Sequence, residues 1–236
     1  MTNHAVGPET LTTDESSWWE EERLKFLVPR LVDAAGSGPT LDIGCGRGTA
    51  AMMLASSRNV FVVAADGYQY PEWKLSERVS FVVCHGDRLP FRDGVFASAS
   101  ALDVVEHVDD DAAIVAEISR VVVPNGSAVI TVPAFQQLWS EHDVSVGHRR
   151  RYSRTTLRSL VDGQGMTVSE STYFFSYLAL PAWLLRRRRR AVSGGGNAAR
   201  KVVRTLSLGE RRWLRRRVLP LGTSLYAMVR NAPASD

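Results

Sequence analysis

The sequence predicts an α/β fold built on one mostly parallel sheet of seven strands. Short apolar runs alternate with helical patterns over the first 135 residues, which is the order that parallel strands joined by crossover helices produce. Runs such as Val60–Ala65 are apolar without alternation, as is typical of strands buried on both faces of a sheet. A chain of 236 residues can bury a sizeable core, so we expect a single domain.

The predicted elements up to residue 135 follow one another regularly. Pro39–Gly44 is a strand that ends in a glycine-rich turn, and the apolar residues of Thr49–Ser56 and of Asp110–Val122 have helical spacing. The other strands predicted in this part are Val60–Ala65, Val79–Val83, Phe96–Leu102 and Ser127–Val132.

The part of the chain after residue 135 is less regular. Ser153 is suited to cap a helix over Ser153–Val161, which Gly163 and Gly165 end. Two more strands are predicted at Thr167–Phe174 and Ser224–Val229. Between them come the apolar run Tyr173–Leu185, the arginines Arg186–Arg190, the glycine-rich break Ser193–Asn197 and a basic helical stretch Arg200–Arg217.

Composition excludes several classes of protein. A chain that is 44% hydrophobic and 23% charged is not collagen-like, wholly disordered or built on disulfides. Cys45 and Cys84 lack the spacing of zinc ligands, which predicts a reducing compartment without structural zinc. The acidic first 23 residues do not form a signal peptide, and the 13-residue run Tyr173–Leu185 is too short to span a bilayer. We therefore expect a cytoplasmic protein.

Charge divides the chain into two unlike halves. Residues 1–118 hold 9 Lys/Arg against 19 Asp/Glu, whereas residues 119–236 hold 20 against 6. A basic half of this kind suits nucleic acid, an anionic membrane surface or an anionic substrate, and composition does not choose among them.

Three alternating glycines follow the first strand, in Asp42-Ile-Gly44-Cys-Gly46-Arg-Gly48. Glycines allow positive φ and close approach of a ligand, and the start of the next helix offers unpaired N–H groups. This pattern predicts a nucleotide-like cofactor. A dinucleotide is the second choice, because Thr49 stands where the dehydrogenase pattern needs its third glycine, although Asp66 ends the next strand at a compatible distance.

Ordered motifs along the chain resemble those of class I S-adenosylmethionine-dependent methyltransferases. They are LDIGCGRG at 41–48, Asp66, GDRLPF at 86–91, LDVVEHV at 102–108 and RVVVPNGSAVITVP at 120–133. LWSEHDVSVGHRRRYSRTTLRSLV at 138–161 and VLPLGTSLYAMV at 218–229 resemble a bacterial small-molecule subgroup of the family. Asn125 departs from the pattern, since a glycine is usual there.

The resemblance implies a doubly wound, Rossmann-like sheet whose last strand is antiparallel. We divide the single domain into an N-terminal extension (1–22), a cofactor-binding core (23–135), an acceptor-side insertion with a basic segment (136–217), and a last strand with a tail (218–236).

The resemblance also implies S-adenosylmethionine as cofactor. Asp42 and the glycine loop would hold its methionine part, Asp66 both ribose hydroxyls, and Asp87 the adenine amino group. Gly86-Asp87 is equally ordinary turn chemistry, which stays an alternative. The implied cofactor-binding residues are Asp42, Gly44, Cys45, Gly46, Gly48, Asp66, Gly86, Asp87, Arg88 and Asp103.

The candidate catalytic residues lie in Asp103-Val-Val-Glu106-His107. An imidazole can take a proton at neutral pH, so His107 is the candidate base, with a structural histidine as the alternative. The acid-x-x-acid-His pattern also resembles the metal-ligating motif of ubiquinone-pathway O-methyltransferases, in which a divalent ion holds catechol oxygens. We expect no metal here, and keep the metal site as the less favoured interpretation.

A second polar cluster follows the fifth strand, where an insertion commonly covers the acceptor. Three successive arginines cannot all point into one site, and the aromatic residues are as compatible with the core as with a contact. The candidate acceptor-binding residues are Trp139, His142, His148, Arg149 and Tyr152.

The leading interpretation is a methyltransferase that acts on O, N or C of a small molecule, such as a secondary metabolite or an anionic lipid- or isoprenoid-linked compound. A nucleic-acid methyltransferase is disfavoured, because no N/D-P-P-Y/F follows the fourth strand and neither cysteine is placed as a nucleophile. A non-catalytic, membrane-associated cofactor-binding protein is a further alternative. The apolar run with its arginines suggests either peripheral contact with an anionic membrane or an ordinary helix beside a basic surface.

Overall fold

The computed structural model describes residues 16–74, 76–186, 197–214 and 217–233. Residues 1–15 of the predicted extension lie outside the described residues, as do most of the arginine run (187–190), the glycine-rich break up to residue 196, and Arg215 and Arg216.

Seven strands form one sheet, as the sequence predicts. Their order across the sheet is β3-β2-β1-β4-β5-β7-β6, and β7 runs antiparallel to both of its neighbours. The doubly wound fold with an antiparallel last strand is therefore confirmed. The strands are β1 Thr40–Ile43, β2 Val62–Asp66, β3 Val79–Val83, β4 Phe96–Leu102, β5 Val122–Pro133, β6 Met166–Phe174 and β7 Ser224–Asn231.

Seven α-helices connect and cover these strands in the described ranges: α1 Ser16–Ala34, α2 Thr49–Arg58, α3 Asp111–Val121, α4 Glu141–Ser145, α5 Arg154–Asp162, α6 Ser176–Arg186 and α7 Asn197–Trp213. The 3₁₀ turns Val105–His107 and Gln136–Leu138 follow β4 and β5. Ser153 caps α5 as predicted, since its side chain accepts from the Thr156 amide. The apolar run after β6 forms a helix, α6.

The main differences from the sequence expectations concern α1, β5 and α7. Helix α1 was not predicted, and it crosses the division drawn after residue 22. Strand β5 begins at Val122, immediately after α3, and not at Ser127. Helix α7 ends at Trp213 rather than at Arg217. The segment 136–217 also contributes β6 to the central sheet, while the division of the chain stays a prediction.

Helices pack on both faces of the sheet and make two apolar cores. One core joins α3 and α5 to β4 and β5 through residues such as Ile118 and Leu157. The other joins α1 and α2 to the sheet through Leu27 and Leu54, and it includes Leu214 after α7. Because both faces are covered, the polar groups of the sheet can meet a ligand only at its edges and ends.

The carboxyl ends of β1, β2, β4, β5 and β6 lie along one edge, which we call the carboxyl edge. Asp103, Phe135 and Phe175 follow β4, β5 and β6, and their φ angles are 56°, 58° and 57°. Left-handed backbone costs a residue with a side chain about 1 kcal/mol or more, and such strain gathers where a fold presents functional groups. These three left-handed residues thus indicate that the functional site lies at the carboxyl edge.

No helix in the described ranges has the length and apolar character needed to cross a membrane.

Candidate functional site

The glycine loop after β1 is shaped by three left-handed glycines. A Cβ on Gly44 would lie 2.5 Å from Val104 Cγ2, and one on Gly48 would lie 2.6 Å from Phe81 Cε1, so both positions need glycine for packing. A Cβ on Gly46, with φ of 51°, would meet nothing within 4 Å. The middle of the loop therefore faces open space beside exposed backbone, which suits a ligand.

Asp66, at the end of β2, lies against this loop as the sequence predicts. Its two carboxylate oxygens accept one backbone N–H each, from Gly46 at 2.8 Å and from Tyr68 at 3.0 Å. Each oxygen keeps a lone pair, so the carboxylate is oriented by the backbone and still able to accept two hydroxyl groups.

Asp42 is a buried acid within β1. The Ser100 hydroxyl donates to its Oδ1 at 2.7 Å, whereas Oδ2 is buried without a hydrogen-bond partner. Burial raises the pKa of Asp42 to about 6, against the opposing effects of the Ser100 hydrogen bond and the Arg23 charge. The unused oxygen is a further acceptor beneath the loop, and it fits a cationic group.

Trp73 covers the loop from the side, and the sequence analysis missed it. Its indole N–H donates to the Gly46 carbonyl at 2.7 Å, and its ring stacks on Phe81 with centroids 4.7 Å apart. The only sequence signal was an aromatic residue in the loop after Asp66, which does not distinguish a cover from a surface side chain.

The other residues predicted for the cofactor lie around the same end of the sheet. Gly86 approaches the end of β1, since a Cβ there would lie 3.1 Å from Ile43 Cγ2. Asp87 and Arg88 are exposed in the turn after β3. The Cys45 amide donates to the Ala65 carbonyl at 3.1 Å, and burial raises the pKa of its thiol, which stays protonated at neutral pH.

Asp103 is held in its left-handed conformation by β5 and α1. Its amide donates to the Thr131 carbonyl at 3.0 Å, and the Thr131 hydroxyl donates to its carboxylate at 2.7 Å. Arg23 of α1 forms an ion pair with the other carboxylate oxygen. Arg23 was not among the predicted site residues, because it lies before the first predicted strand and belongs to no recognised motif.

Glu106 and His107 lie in the 3₁₀ turn that follows. Glu106 has no exposed surface, and its pKa is raised well above the usual value by burial and by the charge of Asp103. Burial and the neighbouring His148 lower the pKa of His107 to about 4. His107 is therefore a neutral imidazole at pH 7.

His148 reaches the same place from the loop after α4. Its Nδ1 lies 2.9 Å from Asp143 Oδ1, its Nε2 lies 3.9 Å from Glu106 Oε1, and its ring centroid lies 4.8 Å from that of His107. Asp143 is buried and accepts two further bonds from Arg151, at 2.7 and 2.9 Å. Asp143 and Arg151 thus orient His148, although neither was among the predicted site residues.

Other predicted acceptor residues lie apart from this group. Tyr152 is 3% exposed and its hydroxyl donates to Asp111 at 2.7 Å, so it belongs to the core. Arg149 is exposed and faces Asp109 at 3.4 Å. His142 is exposed, with its ring 6.5 Å from that of His148, and Trp139 is half-buried. The successive arginines do point to different partners, as expected.

Comparison with known proteins adds the following. Residues 41–130 match a protein family described as a methyltransferase domain. The chain is 26% identical to an O-methyltransferase of Aspergillus nomiae over 118 residues, which are 46% of this chain and 52% of that protein. It is 32% identical to the norajmaline N-methyltransferase of Rauvolfia serpentina over 130 residues, 50% of this chain and 44% of that protein. The chain thus spans about half the length of these curated relatives.

A solved structure shows that the likeness extends to the whole fold. Geranyl diphosphate methyltransferase in complex with S-adenosylmethionine aligns with a TM-score of 0.59, over 96% of this chain and 95% of that chain. The sequence identity is 18%, so this likeness concerns the fold alone.

Proposed function

Because this chain belongs to the class I S-adenosylmethionine-dependent methyltransferases, we propose that it transfers a methyl group from S-adenosylmethionine to a small molecule. The proposal rests on two sets of polar groups that lie next to each other at the carboxyl edge. The open backbone at Gly46 lies beside Asp66, whereas Glu106 and His107 follow the neighbouring strand β4, and His148 joins them from the loop after α4.

The cofactor supplies an electrophilic methyl group on its sulfonium, and the chain supplies binding and alignment. Asp66 would accept the two ribose hydroxyls with its free lone pairs. Asp42, through its unpartnered oxygen, would face the ammonium group. Alignment of this kind contributes about 7 to 11 kcal/mol to lowering a barrier, so the fold serves O, N or C acceptors equally. The relatives, an O- and an N-methyltransferase, are consistent with this breadth.

Calorimetric titration tests this function without knowledge of the acceptor. S-adenosylhomocysteine should bind saturably, and Asp66→Ala should weaken binding at least about tenfold, because charge-assisted hydrogen bonds contribute about 1.5 to 3 kcal/mol each. NAD is the competing ligand. Tighter binding of NAD than of S-adenosylhomocysteine would overturn the proposal.

We propose further that α7 rests on an anionic membrane surface, as suits a lipid- or isoprenoid-linked acceptor. Three arginines of the second half are used inside the protein: Arg151 binds Asp143, Arg154 binds the Leu219 carbonyl, and Arg211 binds Glu22. Lys201, Arg204 and Arg212 of α7 remain exposed.

Helix α7 also exposes apolar side chains. Val202, Leu206 and Trp213 share one face by helical spacing and are 58%, 45% and 52% exposed. The opposite face is docked on the protein, where the Ser207 hydroxyl lies 2.6 Å from that of Tyr177. Glu210 binds the amides that begin α6, which itself exposes Leu180 and Leu184. Apolar and cationic side chains exposed together on one helix are the composition of an interfacial helix.

Vesicle co-sedimentation tests this contact with two matched variants. The chain should sediment with anionic and not with neutral vesicles, and the effect should fade as salt shortens the screening length to about 3 Å at 1 M. Leu206→Gln should weaken sedimentation, whereas Phe61→Gln should not, because Phe61 is equally exposed but lies just before β2 and not on α7. Failure to sediment with anionic vesicles at low salt would overturn this proposal, and leave α7 to a soluble anionic acceptor.

A further inference from the structure

Glu106 is a fully buried carboxylate that the described part of the chain leaves without a donor. It has no exposed surface, and neither of its side-chain oxygens has a hydrogen-bond partner among the described residues. An isolated buried charge costs several kcal/mol, and in native proteins it is neutralised by a proton, a pairing group or a metal. A proton, a cationic group or a metal ion is therefore expected at the two carboxylate oxygens of Glu106.

Two imidazoles face the same space. One ligand atom from each of Glu106, His107 and His148 can be chosen so that all three lie within 4.8 Å of one another. Glu106 is buried, while the two histidines are half-buried, so the group is anchored in the core and reachable from one side.

The environment of His148 leaves one of its ring nitrogens with a free lone pair. Asp143, held as a carboxylate by Arg151, accepts from Nδ1 of His148, so Nε2 is the nitrogen that faces Glu106. His107 packs edge to face against His148, with ring centroids 4.8 Å apart, and one of its ring nitrogens belongs to the same group. A lone pair that faces a carboxylate repels it unless a proton or a metal ion lies between them.

We propose that Glu106, His107 and His148 bind a divalent first-row transition metal, with Zn²⁺ as the type case. Two imidazole nitrogens and one carboxylate are a donor set for such ions, whereas Mg²⁺ and Ca²⁺ take oxygen ligands. A carboxylate or carbonyl behind each imidazole is also the usual arrangement around metal-ligating histidines. Asp143 fills this place behind His148.

This donor set differs from the acid-x-x-acid-His pattern considered for the sequence, and it departs from the expectation of no metal. Asp103 is occupied by Arg23 and Thr131 and lies outside the group, while His148 joins it from a loop about 40 residues further along the chain. The ligands come from two segments that only the fold brings together.

Three protein ligands leave at least one coordination position open, as in catalytic metal sites. At the carboxyl edge this position would take an oxygen of the acceptor and favour its deprotonation. This use of the metal rests on the proposed methyl transfer, whereas the binding of the metal does not.

Metal analysis of the tag-free full chain tests the proposal. After stripping with a chelator and addition of Zn²⁺, dialysed protein should retain about one ion per chain. Glu106→Gln and His148→Ala should each weaken Zn²⁺ affinity by more than about 100-fold, and Asp143→Asn by about 10- to 100-fold. His142→Ala, a histidine outside the group, should bind as the parent does.

Co²⁺ substitution gives a second readout that a folding defect would not imitate. Visible absorption bands typical of nitrogen and oxygen ligands should appear in the parent and in His142→Ala, and vanish in Glu106→Gln while its circular dichroism stays native. The absence of stoichiometric metal, or retention unaffected by both ligand variants, would overturn the inference. S-adenosylhomocysteine titration of the stripped protein tests the methyltransferase proposal separately, since Asp66 and the glycine loop take no part in the metal site.

Discussion

The two ends of the functional edge are built in different ways. The glycine loop and Asp66 lie within 25 residues of one another, on neighbouring strands whose ends a parallel sheet places side by side. The polar group at β4 draws on residues 103–107 and 143–151, and Arg23 joins it from α1. The first region is fixed by local motif and strand order, whereas the second exists only once distant loops have packed. The two regions should therefore respond differently to mutation.

The largest expected effect is a loss of cofactor affinity when the glycine loop is changed. Gly46→Val should nearly abolish binding of S-adenosylhomocysteine in calorimetric titration, because the side chain would fill the open space above the loop. Gly165→Val is the matched control, since Gly165 also has positive φ and no atom within 4 Å of its Cβ position, but lies in the turn before β6. Both variants should lose similar stability. Equal loss of affinity in both would show that backbone strain alone is responsible.

The next effect concerns the second region. His107→Ala should lower turnover by about two orders of magnitude, the usual contribution of a positioned catalytic group. Cofactor affinity and melting temperature should stay close to those of the parent, because His107 is half-buried and lies apart from the glycine loop. A large loss of stability with unchanged specific activity would assign His107 to the core.

The sequence predicts the strands and the glycine-loop region better than it predicts the polar group at β4. The strands Val79–Val83 and Phe96–Leu102 were predicted to the residue, because continuous apolar runs between polar turns have one stable place in a parallel sheet. Asp66 was placed correctly against the loop for the same reason.

Sequence reasoning failed where tertiary packing decides. Arg23 lies on a helix that precedes the first recognisable motif, and Trp73 looks like an ordinary loop residue. For Tyr152 the sequence left acceptor contact and core equally open, and its hydroxyl is used by Asp111 in the core. The pairing of His148 with Glu106 depends on a loop path that no short-range pattern encodes.

A smaller effect tests whether Asp42 is retained for binding at a cost in stability. Its pKa rises on folding from 3.8 to about 6, so the native state binds the proton more tightly and loses stability as pH rises through this window. Asp42→Asn should therefore be stabilised relative to the parent by about 3 kcal/mol at pH 8, and by little at pH 3.5. Urea unfolding at both pH values measures this difference. A variant that is less stable than the parent at pH 8 would contradict the account.

The smallest expected effect is a loss of stability, without a loss of cofactor affinity, when the cap of α5 is removed. Ser153→Ala removes the side-chain acceptor for the Thr156 amide at the start of α5, which should cost about 1 kcal/mol. Urea unfolding should detect the loss, and S-adenosylhomocysteine affinity should not change. An altered affinity would mean that α5 is coupled to the glycine loop.

The most direct test of the two-region account is the S-adenosylhomocysteine affinity of three proteins under one condition. Relative to the parent, we expect at least about tenfold weaker binding in Asp66→Ala, because two charge-assisted hydrogen bonds are lost. We expect unchanged binding in His148→Ala, since His148 contacts Glu106, His107 and Asp143 and not the loop. Equal weakening in both variants, or none in Asp66→Ala, would contradict the account.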